Sequence, residues 1–166
     1  MIKLIITFCI IFLIFLFKFL KKKKKEKHII KWNDTIKFVP PIKEGFVIKV
    51  YDGDTITIAT KICNLPNLYR FSVRILDIDC PEINSKDDFE KKLAIKGRDY
   101  VNNLILNQNV KLHVKGLDNY GRILAKIVFN NLNIGQELIN QKLAIPYQGG
   151  KKKNFDWKKY YYQYHI

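Results

Sequence analysis

Residues 45–58 read GFVIKVYDGDTITI, and the fold turns on how this stretch is read. Phe46, Ile48 and Val50 recur every second residue, Asp52-Gly53-Asp54 interrupts them, and Ile56 and Ile58 resume the period. A period of two marks a strand with one buried face. Asp-Gly is a tight-turn pair. The stretch therefore predicts a β-hairpin. Asn64, Pro66 and Asn67 then mark a loop, and a further strand runs through Phe71, Val73 and Ile75 to end near Asp79-Cys80-Pro81.

Beyond it the period changes. Phe89, Leu93, Gly97, Tyr100, Val101, Leu104 and Ile105 fall at helical spacing, which predicts a helix over 87–106 with Asp87 or Asp88 as its cap. Val110, Leu112 and Val114 return to strand spacing. Asp118-Asn119-Tyr120-Gly121 reads as a turn, Ile123 to Phe129 as the return strand, and Asn130-Asn131 as a second turn. Short helices are expected from Ile134 to Lys142 and near Asp156–Tyr164. Short strands with two or three helices predict an α+β domain built on a small barrel. Its limits are set at 45–148, between a basic flank and linker at 21–44, which contains Pro40-Pro41, and a basic, aromatic tail at 149–166.

Composition narrows the partners. The chain has 166 residues, 48% of them hydrophobic, and a formal net charge of +15. That is ample apolar material for a core, which excludes a disordered polyelectrolyte. The charge favours a polyanionic partner, either nucleic acid or an anionic membrane surface. Three cysteines, Cys9, Cys63 and Cys80, form neither a disulfide scaffold nor a zinc spacing. Of 30 basic residues only Arg70, Arg74, Arg98 and Arg122 are Arg. In a chain whose default cation is Lys, an Arg points to a place that needs a rigid planar donor.

The N-terminus differs from the rest. Residues 4–17 read LIITFCIIFLIFLF, and Lys21 to Lys25 follow soon after. Leu4 to Leu20 spans 17 residues, the short end of a membrane-crossing helix. We expect a single-pass anchor at 1–20. The rival reading, a cleaved secretion signal, lacks a basic n-region and a small-residue cleavage site. The first 27 residues hold eight Lys and one Glu, a net +7 that lies mostly after the apolar run. The positive-inside rule then leaves the domain on the cytoplasmic side. Residues 28–166 still carry +8.

Three segments carry candidate chemistry. Asp52-Gly53-Asp54-Thr55 alone is an ordinary hairpin turn. Arg74-Ile75-Leu76-Asp77-Ile78-Asp79-Cys80-Pro81-Glu82 crowds carboxylates at a strand end, which is costly unless a metal ion or phosphate-binding cations neutralise them. Asp118-Asn119-Tyr120-Gly121-Arg122 alone is a turn with an exposed Arg.

In this order, with a helix between the second and third, the segments resemble the staphylococcal nuclease family, over about Gly45 to Tyr147. The resemblance implies an OB-fold, a five-stranded barrel, and calcium-dependent phosphodiester hydrolysis of DNA or RNA. It places one Ca²⁺ on Asp54, Asp79 and the main-chain carbonyl of Cys80, where the family usually has Thr, with Asp52 behind them. It assigns Arg74 and Arg122 as phosphate clamps, Glu82 as the group that activates water, and Tyr120 and Tyr147 as nucleotide contacts. The residue types suit the chemistry: a hard cation and guanidinium groups offset charge gathering on phosphoryl oxygens, and Arg binds phosphate through two parallel bonds. The expected partner is nucleic acid, single strands preferred. Two other readings stay open: a catalytically silent binding module of the same family, and a peripheral protein that grips anionic lipid.

Overall fold

The computed structural model describes residues 10–16, 28–150 and 155–163. They fall into two units, 1–38 and 39–166. In the first, residues 10–16 are helical (α1) and Trp32–Asp34 forms a single 3-10 turn. The remainder of the expected anchor at 1–20 and of its Lys flank lies outside the described residues. Among the described residues no helix is long and apolar enough to cross a membrane. None of the described residues before Pro40 is buried, so the core belongs wholly to the second unit.

That unit is a closed barrel. Strands β1 (Glu44–Val50), β2 (Thr55–Lys61) and β3 (Leu68–Ile75) form an antiparallel meander. After a crossover, β5 (Asn109–Leu117) pairs with β1, and β6 (Ile123–Phe129) pairs with β5. The parallel pairing of β6 with β3 closes five strands into the barrel, as an OB-fold requires. Ile56, Ile58, Val73, Ile75, Ile123 and Ile127 fill it, each at most 1% exposed. Each such side chain contributes on the order of 1.5–3 kcal/mol by burial.

The inward face of β1 differs from the expected one. Phe46 and Ile48 point outward at 39% and 41% exposure, while Val47 and Val50 are buried. The cause is a β-bulge: Val47 pairs with Ile58 and Lys49 with Thr57, so Ile48 is an extra residue. The bulge shifts the inward positions by one. Gly45 precedes it because β-carbon space there is already taken; a Cβ would lie 2.7 Å from Ile58 Cδ1.

Three further strands are only two residues long. β4 (Ile78–Asp79) pairs with β8 (Ile145–Pro146), and β7 (Leu132–Asn133) extends β6. Asp77, at φ +66°, turns the chain between β3 and β4, so the expected continuous strand to Asp79 is in fact broken. Helix α2 (Asp88–Ile105) buries Leu93, Ala94, Gly97, Val101 and Ile105. Asp87 is its cap, accepting from the Glu90 N–H. Helix α3 (Ile134–Asn140) ends two residues before the expected limit, and α4 (Trp157–Tyr162) is shorter than expected at both ends.

Candidate active site

The β1–β2 turn is set against α2. A Cβ on Gly53 would lie 2.8 Å from Cys80 Sγ and 3.8 Å from the backbone of Gly97. The turn packs this closely because position 53 carries no side chain. Asp54 N–H donates to Asp52 Oδ1 at 3.1 Å, which tightens the turn and orients the Asp52 carboxylate. Gly53→Ala should therefore cost about 1–3 kcal/mol through overpacking. In a Cys80→Ala background the cost should shrink, since the sulfur is the nearest obstacle. Urea unfolding of the four proteins in that cycle measures the coupling; equal costs in both backgrounds would contradict it.

Two buried carboxylates share one guanidinium. Arg74 Nη1 lies 2.5 Å from Asp54 Oδ2, and Arg74 Nη2 lies 3.3 Å from Asp79 Oδ1. Register explains the meeting. Arg74 stands opposite Thr55 on β2 and beside Leu124 on β6, at the end of β3 where the barrel closes. Asp54 and Asp79 are 4% and 7% exposed. Burial pushes the Asp54 carboxyl up to about 6; Arg74 opposes that push and Asp52 adds to it. For Arg74, burial alone would lower the pKa, but the Asp54 and Asp79 charges outweigh it and raise it. Two buried carboxylates beside one guanidinium favour the uptake of a proton or a cation.

The second guanidinium is held by a turn. Asp118 Oδ2 accepts from Arg122 Nε at 2.6 Å, and Asp118 Oδ1 accepts the backbone N–H groups of Tyr120 and Arg122, both at 2.8 Å. Burial alone would raise the Asp118 carboxyl, but these bonds hold it below the usual carboxylate range. Gly121, at φ +81°, closes the turn in a backbone region that glycine adopts freely. Arg122 also stands over the Tyr120 ring, 5.5 Å from its centroid.

Thr55 joins the two halves. Its hydroxyl donates to Asp54 Oδ1 at 2.8 Å and accepts from Arg122 Nη1 at 3.3 Å. Glu82 follows β4 in a loop whose backbone is fixed separately: Glu82 N–H donates to Glu90 Oε1 at 3.0 Å, and Ser85 Oγ donates to Glu90 Oε2 at 2.6 Å. Asp52, Asp54, Arg74 and Cys80 line one cleft of about 680 Å³ together with Glu82, Tyr120, Arg122 and Tyr147. Asp79 adjoins it through Arg74. Tyr147 enters from after β8, with its N–H donating to Asp77 O at 3.0 Å and its hydroxyl to Gly150 O at 2.6 Å.

The profile of the "Staphylococcal nuclease homologue" family matches residues 72–165, more than half of the sequence. The chain belongs to the staphylococcal nuclease family. An "Uncharacterized endonuclease" of Haemophilus influenzae is 32% identical over 102 residues, 61% of this chain and 51% of that protein. "Endonuclease YhcR" of Bacillus subtilis is 30% identical over 114 residues, 63% of this chain and 9% of that protein. A "Probable endonuclease LCL3" of Vanderwaltozyma polyspora is 26% identical over 106 residues, covering 61% and 38%. This nuclease-family chain thus matches about half the length of the first of these relatives and less of the others. The family match begins at Ser72, after the Asp52–Thr55 turn. What ties that turn to the cleft is the contact of Asp54 with Arg74.

Thr55, Asp118 and Glu90 are the residues that sequence reasoning did not assign. Thr55 and Asp118 stand inside the quoted motifs, where a polar residue reads as part of a turn. Glu90 lies in the first turn of α2, where an acid is expected for the helix dipole alone.

The buried side-chain oxygens that could face a cation here are those of Asp54 and Asp79. Among the described residues no group of three or more His, Cys, Asp or Glu side chains is placed to hold a metal ion. The set fits a hard cation, since its side-chain donors are two buried carboxylates beside one guanidinium.

Proposed function

We propose that the chain is a calcium-dependent endonuclease that hydrolyses phosphodiester bonds of DNA or RNA, single strands faster than duplex. The observation that carries this reading is the convergence of Arg74, Arg122 and Glu82 on one cleft beside the buried Asp54–Asp79 pair. A Ca²⁺ ion on Asp54, Asp79 and the Cys80 carbonyl would offset charge on the phosphoryl oxygens. Arg122, held by Asp118 and Thr55, presents its guanidinium to the phosphate without first having to order itself. Arg74 has its two outer nitrogens turned to the carboxylates, so its part is to balance them and to share in the clamp when the cleft is filled. Glu82 takes the proton of the attacking water, opposite the leaving 5′ oxygen.

The products should then carry 3′-phosphate and 5′-hydroxyl ends. End-group analysis after digestion of single-stranded DNA, duplex DNA and RNA tests this. The reading predicts those ends and the highest rate on single strands; 5′-phosphate ends would contradict the assigned line of attack. A silent binding module predicts loss of one of these groups, and all are present.

Proton and cation compete for Asp54. Its folded pKa of about 6 exceeds the ordinary carboxylate value, so without metal the native state gains a proton, and stability, as pH falls through 6. The same proton opposes a dication. Calcium affinity should weaken about tenfold between pH 7.5 and pH 5. Calorimetric titration at the two pH values checks this; equal affinities would place the ion elsewhere.

We further propose that residues 1–20 tether the enzyme to a membrane with the domain on the cytoplasmic face. The support is the apolar run and its Lys21–Lys25 flank. Protease added to intact, correctly oriented membranes should then spare the domain from the far side and digest it from the cytoplasmic side. A mature chain beginning after residue 20 would favour export instead.

A further inference from the structure

The cleft does not end at Tyr147. A second depression of about 670 Å³ adjoins it, sharing Arg74, Leu117, Leu124, Tyr147 and Gly149. A third, of about 400 Å³, adjoins the second and shares Leu76, Asp77, Ile78, Tyr147 and Gln148. Tyr147 borders all three. The two outer depressions run past β4 and the strands β5 and β6 to the start of α3.

Strand geometry puts a cation on this path. In β5, Val114 pairs with Ala125 and Gly116 with Leu124, so Lys115 is the extra residue of a β-bulge. Val114 and Leu117 both pack on the core, although three positions apart. Lys115 and Gly116 are therefore both left on the outer wall, and both line the second depression. Gly116 adds no bulk there: a Cβ at that position would meet nothing within 4 Å. Lys126, on β6, lines the third depression, where its ammonium lies 3.0 Å from Asp77 in a pair half exposed to water. Such a pair holds the lysine weakly and leaves it able to turn to a phosphate. Ile139, Pro146 and the edge of Ile78 supply its apolar lining, beside the polar groups of Asn133, Gln136 and Gln148.

We infer that this groove is a polynucleotide track, which carries the strand beyond the scissile phosphate, with Lys115 and Lys126 on its phosphates and Tyr147 under a base. Spaced cations and an aromatic face are what sequence-tolerant single-strand binding uses. The inference rests on the nuclease reading of the cleft. It makes the preferred substrate a polymer rather than a short ester, because the distal contacts require several nucleotides.

The test uses the chain from residue 28, which retains the whole core, and fluorescein-labelled oligo(dT) of 3 and 20 nucleotides. Anisotropy is measured in chelator, so that binding is read without cleavage. Lys115→Gln with Lys126→Gln should weaken the 20-mer by about tenfold and lower its salt slope by about 1.4, since each single-strand phosphate contact contributes about 0.7. The 3-mer should bind unchanged, and kcat/KM should follow the same split once calcium is added. Equal losses on both lengths would assign the lysines to the cleft itself and overturn the track. So would wild-type affinity of the variant for the 20-mer, with cleavage intact. If the wild-type chain neither binds nor cuts either oligonucleotide, the nuclease reading fails and the track fails with it.

Discussion

Arg74→Met should abolish detectable cleavage and lower unfolding stability by about 3 kcal/mol or more, because it strands two buried carboxylates without their shared cation. The side chains of Arg74, Asp54 and Asp79 are 16%, 6% and 11% exposed, so solvent does little to compensate. Arg74→Lys separates the two roles. It keeps the charge and most of the stability, but a single ammonium cannot reach Asp54 and Asp79 through two nitrogens and still face a phosphate. Activity should fall about tenfold or more. Urea unfolding and initial cleavage rates measure the two effects. Near-wild-type rates in Arg74→Lys would make this arginine a structural cation alone.

Glu82→Gln should act the other way, on rate and hardly on stability. The loop that carries Glu82 is fastened by its own N–H and by Ser85, both bonded to Glu90, and residue 82 is exposed. Replacing a carboxylate that accepts a proton in the transition state costs on the order of 10²–10⁴-fold. The unfolding midpoint should stay within error of wild type, and calcium affinity should change little. A variant with full activity would remove Glu82 from the chemistry. A variant that also unfolds early would show that the side chain holds the loop.

The barrel was legible wherever alternation ran unbroken. Ile56 and Ile58, Val73 and Ile75, and Val110 and Leu112 are buried as their spacing predicts. It failed at Ile48, because a bulge adds one residue and leaves no mark in local composition. The bulge at Lys115 left a trace, since Leu117 comes one position too late for the period of Val110, Leu112 and Val114. The two-residue strands β4, β7 and β8 are too short to show any period. Helix α2 was legible from its apolar spacing and its Asp87 cap.

The site divides along similar lines. Its charged residues stood out because carboxylates and scarce arginines crowd three short segments. The bonds that orient them did not, because they depend on pairing between strands distant in sequence. Thr55 meets Arg122 only because β2 and β6 flank β3, a contact across 67 residues. Asp118 grips Arg122 only once Gly121 folds the turn back.

The most direct test of the central claim is a cleavage assay on the purified, folded chain from residue 28 onward, with excess Ca²⁺ and then with a chelator. The account predicts that single-stranded nucleic acid is degraded with calcium, that cleavage stops when the ion is removed, and that it returns when calcium is restored. A folded protein that binds oligonucleotides yet shows no calcium-stimulated cleavage of any DNA or RNA would contradict it and leave a binding module in its place.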